Sequence, residues 1–256
     1  ALTGNSNPKT LVMNGNKGVT ATFVEIPPGT AVVENATSAT ADANSSSISF
    51  PFTTGASENR LVLVGISWNC GTTDRSISSV TFSYDTTVQP LAHVITQLGY
   101  DSSNPRYTSI WSLTDVPGPS QAGTVTVTFS GAVTYGIVAG AVNFAGVDPT
   151  TPLGPSNGTN GSNSAAVSVT VSGLDGDELI FDNVFLGGGS SYTLTPDASQ
   201  AAQWNTAISN TRSAASTKQS SAASATMNWT ASNATSNKWA IVAVAINPEI
   251  GRASCR

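Results

Sequence analysis

Charged residues are scarce in this sequence. Only 10% of the residues are Asp, Glu, Lys or Arg, against roughly 25% in an ordinary soluble protein. The polar surface must therefore consist of Ser, Thr, Asn and Gly. Such a surface suits a protein outside the cell, held in place by others of its kind, better than it suits a crowded cytosolic enzyme.

Two further absences exclude classes of partner. The formal net charge is -5, and the ten Lys and Arg residues are scattered along the chain. Neutralising a phosphate backbone needs clustered basic side chains, so we expect no nucleic-acid partner. No apolar run approaches the roughly 20 residues that span a bilayer, so we expect no membrane span.

The sequence also lacks the residue patterns of catalytic and zinc sites. His93 is the only histidine, and it alternates with Leu91 and Ile95, which favours a position in the core or at its rim. No local motif supplies the nucleophile and carboxylate that a catalytic histidine needs. A zinc site lacks ligands. We therefore expect no enzymatic activity and no cofactor.

What the sequence does contain is β-structure. Val, Thr and Ile are plentiful and the helix-forming residues Glu, Lys, Leu and Gln are scarce, so residue propensity favours strands. Four apolar stretches predict strands buried on both faces, which we interpret as the walls of one sandwich core. They are Leu61–Trp68, Tyr135–Phe144, Glu178–Leu186 and Trp239–Ile246. With further short strands at regular spacing, the fold class predicted is all-β: a β-sandwich or jelly roll with an N-terminal β-arm or hairpin.

Proline and glycine divide the chain. Asn14-Gly15 between two β-prone runs predicts a hairpin, and Pro27-Pro28-Gly29 then breaks the pattern. The domains predicted are an N-terminal β-arm over 1–26, a sandwich body over 27–248 and a tail over 249–256. Within the body, the low-complexity segment 155–164 is predicted to be a loop.

The opening string NPKTLVMNGNKGVTATF resembles a known family. Its matching residues are Asn7, Pro8, Val12, Met13, Lys17, Val19, Thr20, Ala21 and Phe23. It is similar to the last two strands of the divergent InlB B-repeat, a small β-grasp-like module of bacterial extracellular proteins, the rest of which is missing. The resemblance implies a surface or secreted multidomain precursor.

The body resembles the jelly-roll modules of secreted bacterial surface proteins. The resemblance lies in the strings SVTF, SIWSL, AVNFAGVDPTTPLG and KWAIVAVAINP. Such modules include both structural and sugar-binding members, so the resemblance leaves both functions open.

The N-terminal arm is surplus to a body that already has enough strands for a sandwich. A lone hairpin is marginal in water and its edges need a partner. The arm can fold back on its own body or add to the sheet of the next copy, which generates a filament. We therefore expect the structural subunit of an extracellular bacterial filament, a homopolymer whose interface arm consists of Leu11, Val12, Met13, Val19, Ala21, Phe23, Val24 and Ile26.

The alternative is a secreted carbohydrate-binding or adhesin module with a surface polysaccharide as partner. Five aromatic residues could stack on sugar rings: Tyr100, Tyr107, Trp111, Trp204 and Trp229. Trp204, in the polar setting AAQWNT, is the best candidate. Trp111 alternates with Leu113, which favours the core, where tryptophans of a sandwich usually lie.

The remaining site candidates concern cysteine and calcium. Cys70 and Cys255 are either a disulfide, within or between chains, or two unrelated thiols. Asp175 and Asp177 are a weak calcium candidate, because hard oxygen ligands cluster there. A turn that needs Asp-Gly explains the same residues.

Overall fold

The structure, a computed structural model, describes residues 23–24, 29–99, 103–249 and 254–255, with the backbone alone for 23–24 and 254–255. Over these residues the chain forms nineteen strands and one short 3-10 helix, Gly189–Ser191. The predicted all-β sandwich class is therefore confirmed. The first ten strands are β1 (Phe23–Val24), β2 (Val32–Ala41), β3 (Ser45–Thr53), β4 (Leu61–Asn69), β5 (Ile77–Tyr84), β6 (Thr87–Pro90), β7 (Ala92–Leu98), β8 (Arg106–Leu113), β9 (Ala122–Val133) and β10 (Ile137–Ala145). The remaining nine are β11 (Leu153–Ser162), β12 (Ala166–Ser172), β13 (Leu179–Gly187), β14 (Leu194–Pro196), β15 (Ala201–Ile208), β16 (Thr211–Gln219), β17 (Ser224–Ala231), β18 (Lys238–Ile246) and β19 (Ser254–Cys255).

Four antiparallel sheets make up the body. Inner sheet 1 has the strand order β2-β10-β4-β8-β7, and outer sheet 1 has the order β3-β9-β5-β6. Inner sheet 2 has the order β11-β18-β13-β16-β15, and outer sheet 2 the order β12-β17-β14. A separate buried cluster fills each sandwich, and a third lies between the two inner sheets. The body is thus a stack of four layers with three apolar cores.

The two sandwiches share one plan, which we call unit 1 (β2–β10) and unit 2 (β11–β18). Replacing β2, β10, β4, β8 and β7 by β11, β18, β13, β16 and β15 converts the order of inner sheet 1 into that of inner sheet 2. The outer sheets correspond in the same way, β3-β9-β5 with β12-β17-β14. The chain is therefore an internal tandem repeat of one sandwich.

Contacts between the inner sheets follow an approximate twofold relation. At the centre β4 packs on β13, and at the sides β2 lies against β15 as β11 lies against β7. Likewise, β10 contacts β16, and the corresponding strands of the other unit, β18 and β8, contact each other. Exchanging the units leaves this set of contacts unchanged, so the units face each other through equivalent surfaces.

The prediction of one sandwich over 27–248 therefore needs correction. The four apolar stretches are not the walls of a single core. They form β4, β10, β13 and β18, the central strands of two different inner sheets. Each inner sheet is covered on both faces, by its own outer sheet and by the other inner sheet, which is why these strands are apolar along their whole length.

Two polar segments are strands rather than the loops that their composition suggests. β11 spans most of the predicted loop 155–164, and β2 runs through the Ser/Thr/Asn-rich segment after Val33. Both lie at an edge of an inner sheet, and each pairs with one apolar neighbour, β18 or β10, with a single register shift. Their strand state follows from that pairing and not from an apolar pattern of their own.

A short connection ties unit 1 to unit 2. Asp148 Oδ1 accepts hydrogen bonds from the Thr150 N–H at 2.7 Å, the Thr150 hydroxyl at 2.6 Å and the Thr151 N–H at 3.0 Å. The hydroxyl and amide donors lower the pKa of the Asp148 carboxyl to about 2. Asp148 N–H also donates to the carbonyl of Asn247, after β18. The link before β11 is therefore stabilised by its own hydrogen bonds and is also bonded to the segment that follows β18.

Candidate functional site

β2 presents an open strand edge, which we call the β2 edge. The strand is ten residues long, and among the described residues it hydrogen-bonds to β10 alone, on one side. Its one charged residue, Glu34, accepts from the Ser57 N–H at 3.0 Å and from Asn143 Nδ2 at 2.9 Å. Val32 is 48% exposed. Proteins usually protect an edge of this length with lysine, proline or a cover, so the β2 edge is a site at which another strand can add.

A groove runs between β2 and the neighbouring edge strand of outer sheet 1, β3. It has a volume of about 260 Å³ and is lined by residues 35–37 and 51–53. Asn35 Nδ2 donates to the carbonyl of Thr53 at 3.2 Å, which links the two edges. Pro51 lies in β3 and has no N–H to offer a further strand. Of the two edges beside the groove, β2 is therefore the better acceptor.

Most of the predicted interface arm lies outside the described residues. This applies to Leu11, Val12, Met13, Val19, Ala21 and Ile26. The two described members, Phe23 and Val24, form β1 and pair antiparallel with Cys255 and Ser254 of the tail. The end of the arm and the tail of one chain thus lie side by side.

Trp204 is not a surface platform, which corrects the prediction. It is only 6% exposed and packs in the core between the inner sheets. Its ring lies over the paired glycines Gly65 and Gly140 of β4 and β10. Its Nε1–H donates to Ser213 Oγ at 3.4 Å. A strand bulge between Ala202 and Trp204 sets the side chain on this face, which simple alternation could not predict.

Cys70 is buried, and no disulfide joins it to another described side chain. Its Sγ lies 3.6 Å from the backbone carbonyl oxygen of Arg75, and burial raises the pKa of the thiol to about 11. The side chain of Cys255 lies outside the described residues. The disulfide between the two therefore stays a prediction.

Asp175 and Asp177 belong to a turn that is held by another carboxylate. Glu178 accepts from the N–H of Asp175 at 2.7 Å and from the N–H of Gly176 at 2.9 Å. Gly176 has φ +100°, a conformation that favours glycine. In the described part of the chain, no group of three or more His, Cys, Asp or Glu residues is placed to hold a metal ion. The turn accounts for these residues without a calcium ion.

Unit 1 carries a second candidate site, which we call the aromatic cleft. It has a volume of about 320 Å³ and lies beside β7 and β8 and the segment that joins β4 to β5. Its lining includes Trp68, Asp74, Arg75, His93, Tyr107 and Trp111. This volume is at the lower end of the range for small-molecule sites.

The rings of the cleft are fixed by their neighbours. Tyr107 stacks on Trp68 with ring centroids 4.8 Å apart, and Trp111 meets His93 edge-on at 5.2 Å. The Tyr107 hydroxyl donates to Asp74 Oδ1 at 3.0 Å. Burial, followed by this hydrogen bond, raises the pKa of Tyr107 to about 12. The phenol therefore stays a neutral donor over the whole physiological pH range.

The spacing of two aromatic residues in the sequence indicates this cleft. Tyr107 and Trp111 were among the five aromatic candidates, and their spacing of four along one strand puts both rings on the same face. The alternation of Trp111 with Leu113 correctly predicts that the ring lies on the face toward the core of unit 1. It does not predict that Trp111 is only half-buried. Of the other candidates, Trp229 is 2% exposed and Tyr100 lies outside the described residues.

Over the described residues, none of the helices is long and apolar enough to cross a membrane. No family model matches the chain, and no curated protein matches it. Among solved structures, it is similar to the PBSX exported protein XepA at 12% identity, over 96% of this chain and 100% of that chain, with a TM-score of 0.27. It is also similar to the B domain of a biofilm associated protein at 9% identity, over 91% of this chain and 76% of that chain, with a TM-score of 0.24. At these TM-scores neither similarity bears on function.

Proposed function

We propose that the protein is a structural subunit of an extracellular bacterial filament, and that its N-terminal arm, residues 1–26, adds to the sheet of the neighbouring copy through the part that precedes β1, whose own two residues pair with the tail of the same chain. The observation that carries the proposal is the β2 edge: ten residues, one strand neighbour within the described part of the chain, and a single charge that is already hydrogen-bonded. Main-chain hydrogen bonds to such an edge supply affinity without needing a specific pocket.

The groove beside β2 supports the same assignment. An added strand would place alternate side chains over the groove between the two edges of unit 1, next to Phe52, and the others toward solvent. The arm supplies apolar residues at such spacing, for example Leu11 and Met13, or Val19 and Ala21. Shape and chemistry of the groove therefore suit a donor strand.

Head-to-tail addition of this kind gives an open filament unless the rotation between copies closes a ring. The low content of charged residues, 10%, limits repulsion between packed subunits. The proposal assigns no catalysis and no cofactor to the chain. It places the protein outside the cell, as the composition and the resemblance of its opening segment imply.

Electron microscopy tests the proposal. The purified full chain is expected to form filaments, whereas a variant lacking residues 1–26 is expected to remain a folded, soluble monomer. As a control for chain length, residues 1–26 are replaced by a Gly-Ser segment of equal length, which has no β-propensity and should also prevent assembly. Filaments from the truncated protein, or only monomers from the full chain, would show that the arm does not link subunits.

A further inference from the structure

We infer that the aromatic cleft of unit 1 is a binding site for a neutral pyranose unit of a polysaccharide. The inference is separate from the proposed assembly. The cleft lies at β7 and β8, and β2 is at the opposite end of inner sheet 1. A ligand in the cleft and a strand on the β2 edge would therefore occupy different parts of the molecule.

The ring arrangement suits a sugar. Trp111 and Tyr107 are half-buried, so each is held on one side and open on another. Their neighbours His93 and Trp68 prevent the rings from turning away. Rings fixed before binding lose little side-chain entropy when an apolar sugar face stacks on them.

The polar groups around the rings suit hydroxyl groups. Asp74, Ser76, His93 and Thr96 are exposed and line the cleft. They combine acceptors and donors, and His93 Nε2 lies 2.8 Å from Thr96 Oγ1. A sugar hydroxyl both donates and accepts, so it can bond to any of them. Asp74 and Arg75 give one charge of each sign, which favours a neutral sugar over a charged one.

Unit 2 shows which residues occupy the positions that are equivalent to the two rings. Leu61 is the first residue of β4 and pairs with Phe144, and Leu179 is the first residue of β13 and pairs with Ile246. Aligning the two strands from these first residues makes them equivalent residue by residue. Through the pairing of β8 with β4 and of β16 with β13, Trp111 corresponds to Ser216 and Tyr107 to Arg212. The same sandwich therefore forms without either aromatic ring.

The equivalent place in unit 2 is closed rather than open. Ser216 Oγ accepts from Gln200 Nε2 at 2.8 Å, and the buried Asp182 accepts from Ser216. Gln200 is only 8% exposed. Both rings of unit 1 pack partly against its core, but since unit 2 fills the position of Trp111 with a compact polar cluster, the sandwich itself does not require an aromatic ring there. A role in binding explains why they are there.

Binding of neutral glycans tests the inference. The full chain is screened on an array of neutral oligosaccharides of glucose, mannose, galactose and N-acetylglucosamine, and the strongest binder is titrated by calorimetry. Trp111→Ala is expected to weaken binding at least tenfold, as the loss of a central aromatic contact does. Trp111→Phe keeps a ring and should retain most of the affinity.

Two further variants guard against an effect on folding. His93→Ala and Asp74→Asn change exposed residues of the cleft and should weaken binding several-fold without changing the thermal midpoint. Tyr135→Ala removes a ring that is 44% exposed elsewhere on the surface and should leave binding unchanged. The inference is overturned if no neutral glycan binds, or if the cleft variants bind as tightly as the parent chain.

Discussion

At the scale of single residues, one contact between the two units is that of a tryptophan with two glycines. A Cβ atom added at Gly140 would lie 2.7 Å from the Trp204 ring, and one at Gly65 would lie 2.9 Å from it. Both distances are too short for carbon atoms, so the ring can occupy this place only because the two facing residues lack side chains. The backbone of unit 1 thus forms the seat for a side chain of unit 2.

Gly140→Ala is therefore expected to lower the free energy of unfolding by about 1–3 kcal/mol, the usual cost of overpacking a core. Urea denaturation of the purified chain measures the change. Gly118→Ala is the matched control, because nothing lies within 4 Å of its added Cβ. Equal stability of the two variants would mean that Trp204 does not pack on Gly140.

The buried residue Asp182 is expected to make the stability of the chain depend on pH. Its carboxylate is fully buried in the core of unit 2 and accepts from Trp229 Nε1 at 2.6 Å and from the Ser216 N–H at 2.6 Å. Burial raises its pKa from 3.8 to about 7, although the hydrogen-bond donors oppose the shift. The folded chain therefore holds a proton at a pH where the unfolded chain has released it.

The free energy of unfolding should accordingly fall as pH rises from about 4 to about 7. Below this window Asp182 is protonated in both states, and above it the carboxyl is ionised in both, so its contribution changes only within the window. Asp182→Asn removes that contribution. The free energy of unfolding of the parent minus that of the variant, measured by urea denaturation across this pH range, should therefore decrease as pH rises toward 7. A difference that is independent of pH would contradict the assigned pKa.

At the scale of elements, the sequence predicts the buried strands well and the edge strands poorly. β4, β10, β13 and β18 are buried on both faces, so their apolar runs are visible without the structure. β2 and β11 consist mainly of Asn, Ser, Thr, Ala and Gly. Their strand state depends on neighbours distant in sequence, which no local pattern reveals.

Charge placed on the β2 edge should block assembly without unfolding the chain. Ala36 and Thr40 are exposed on β2, and lysine at both positions would put two unpaired charges on an acceptor strand whose one charged residue, Glu34, is already hydrogen-bonded. We expect the critical concentration for filament formation to rise at least tenfold, which corresponds to about 1.4 kcal/mol. Sedimentation of assembled material measures it.

The matched control for this variant carries the same added charge away from the β2 edge. Thr72 and Thr86 are exposed residues outside the strands of unit 1. Lysine at these two positions should leave the critical concentration near that of the parent. If both double variants reduce assembly equally, net charge and not the β2 edge is responsible.

At the scale of the whole molecule, the tandem repeat is the feature that the sequence concealed. The units keep the same strand order, and bulges recur at matching places, between His93 and Ile95 in β7 and between Ala202 and Trp204 in β15. Their side chains have diverged, so Gly65 of β4 corresponds to Asn183 of β13. Topology is preserved where residue identity is not, which is why one large sandwich was the simpler interpretation.

Divergence between the units also separates their roles. Asn183 Nδ2 donates to Thr108 Oγ1 at 2.9 Å, and Ser67 Oγ donates to Ser213 Oγ at 3.0 Å, so buried polar groups join the inner sheets. Unit 2 has a closed polar cluster where unit 1 has the aromatic cleft. We interpret unit 2 as the partner that fixes unit 1, leaving the cleft and the β2 edge of unit 1 for interactions.

Mixing two assembly-defective variants tests the central claim most directly. The chain lacking residues 1–26 keeps its β2 edge, and the chain with Ala36→Lys and Thr40→Lys keeps its arm. Each alone should sediment as a monomer, and an equimolar mixture should give heterodimers of twice the monomer mass and nothing larger, since one donor and one acceptor remain. A mixture that sediments as two unassociated monomers would contradict the proposal that the arm of one copy binds the β2 edge of the next.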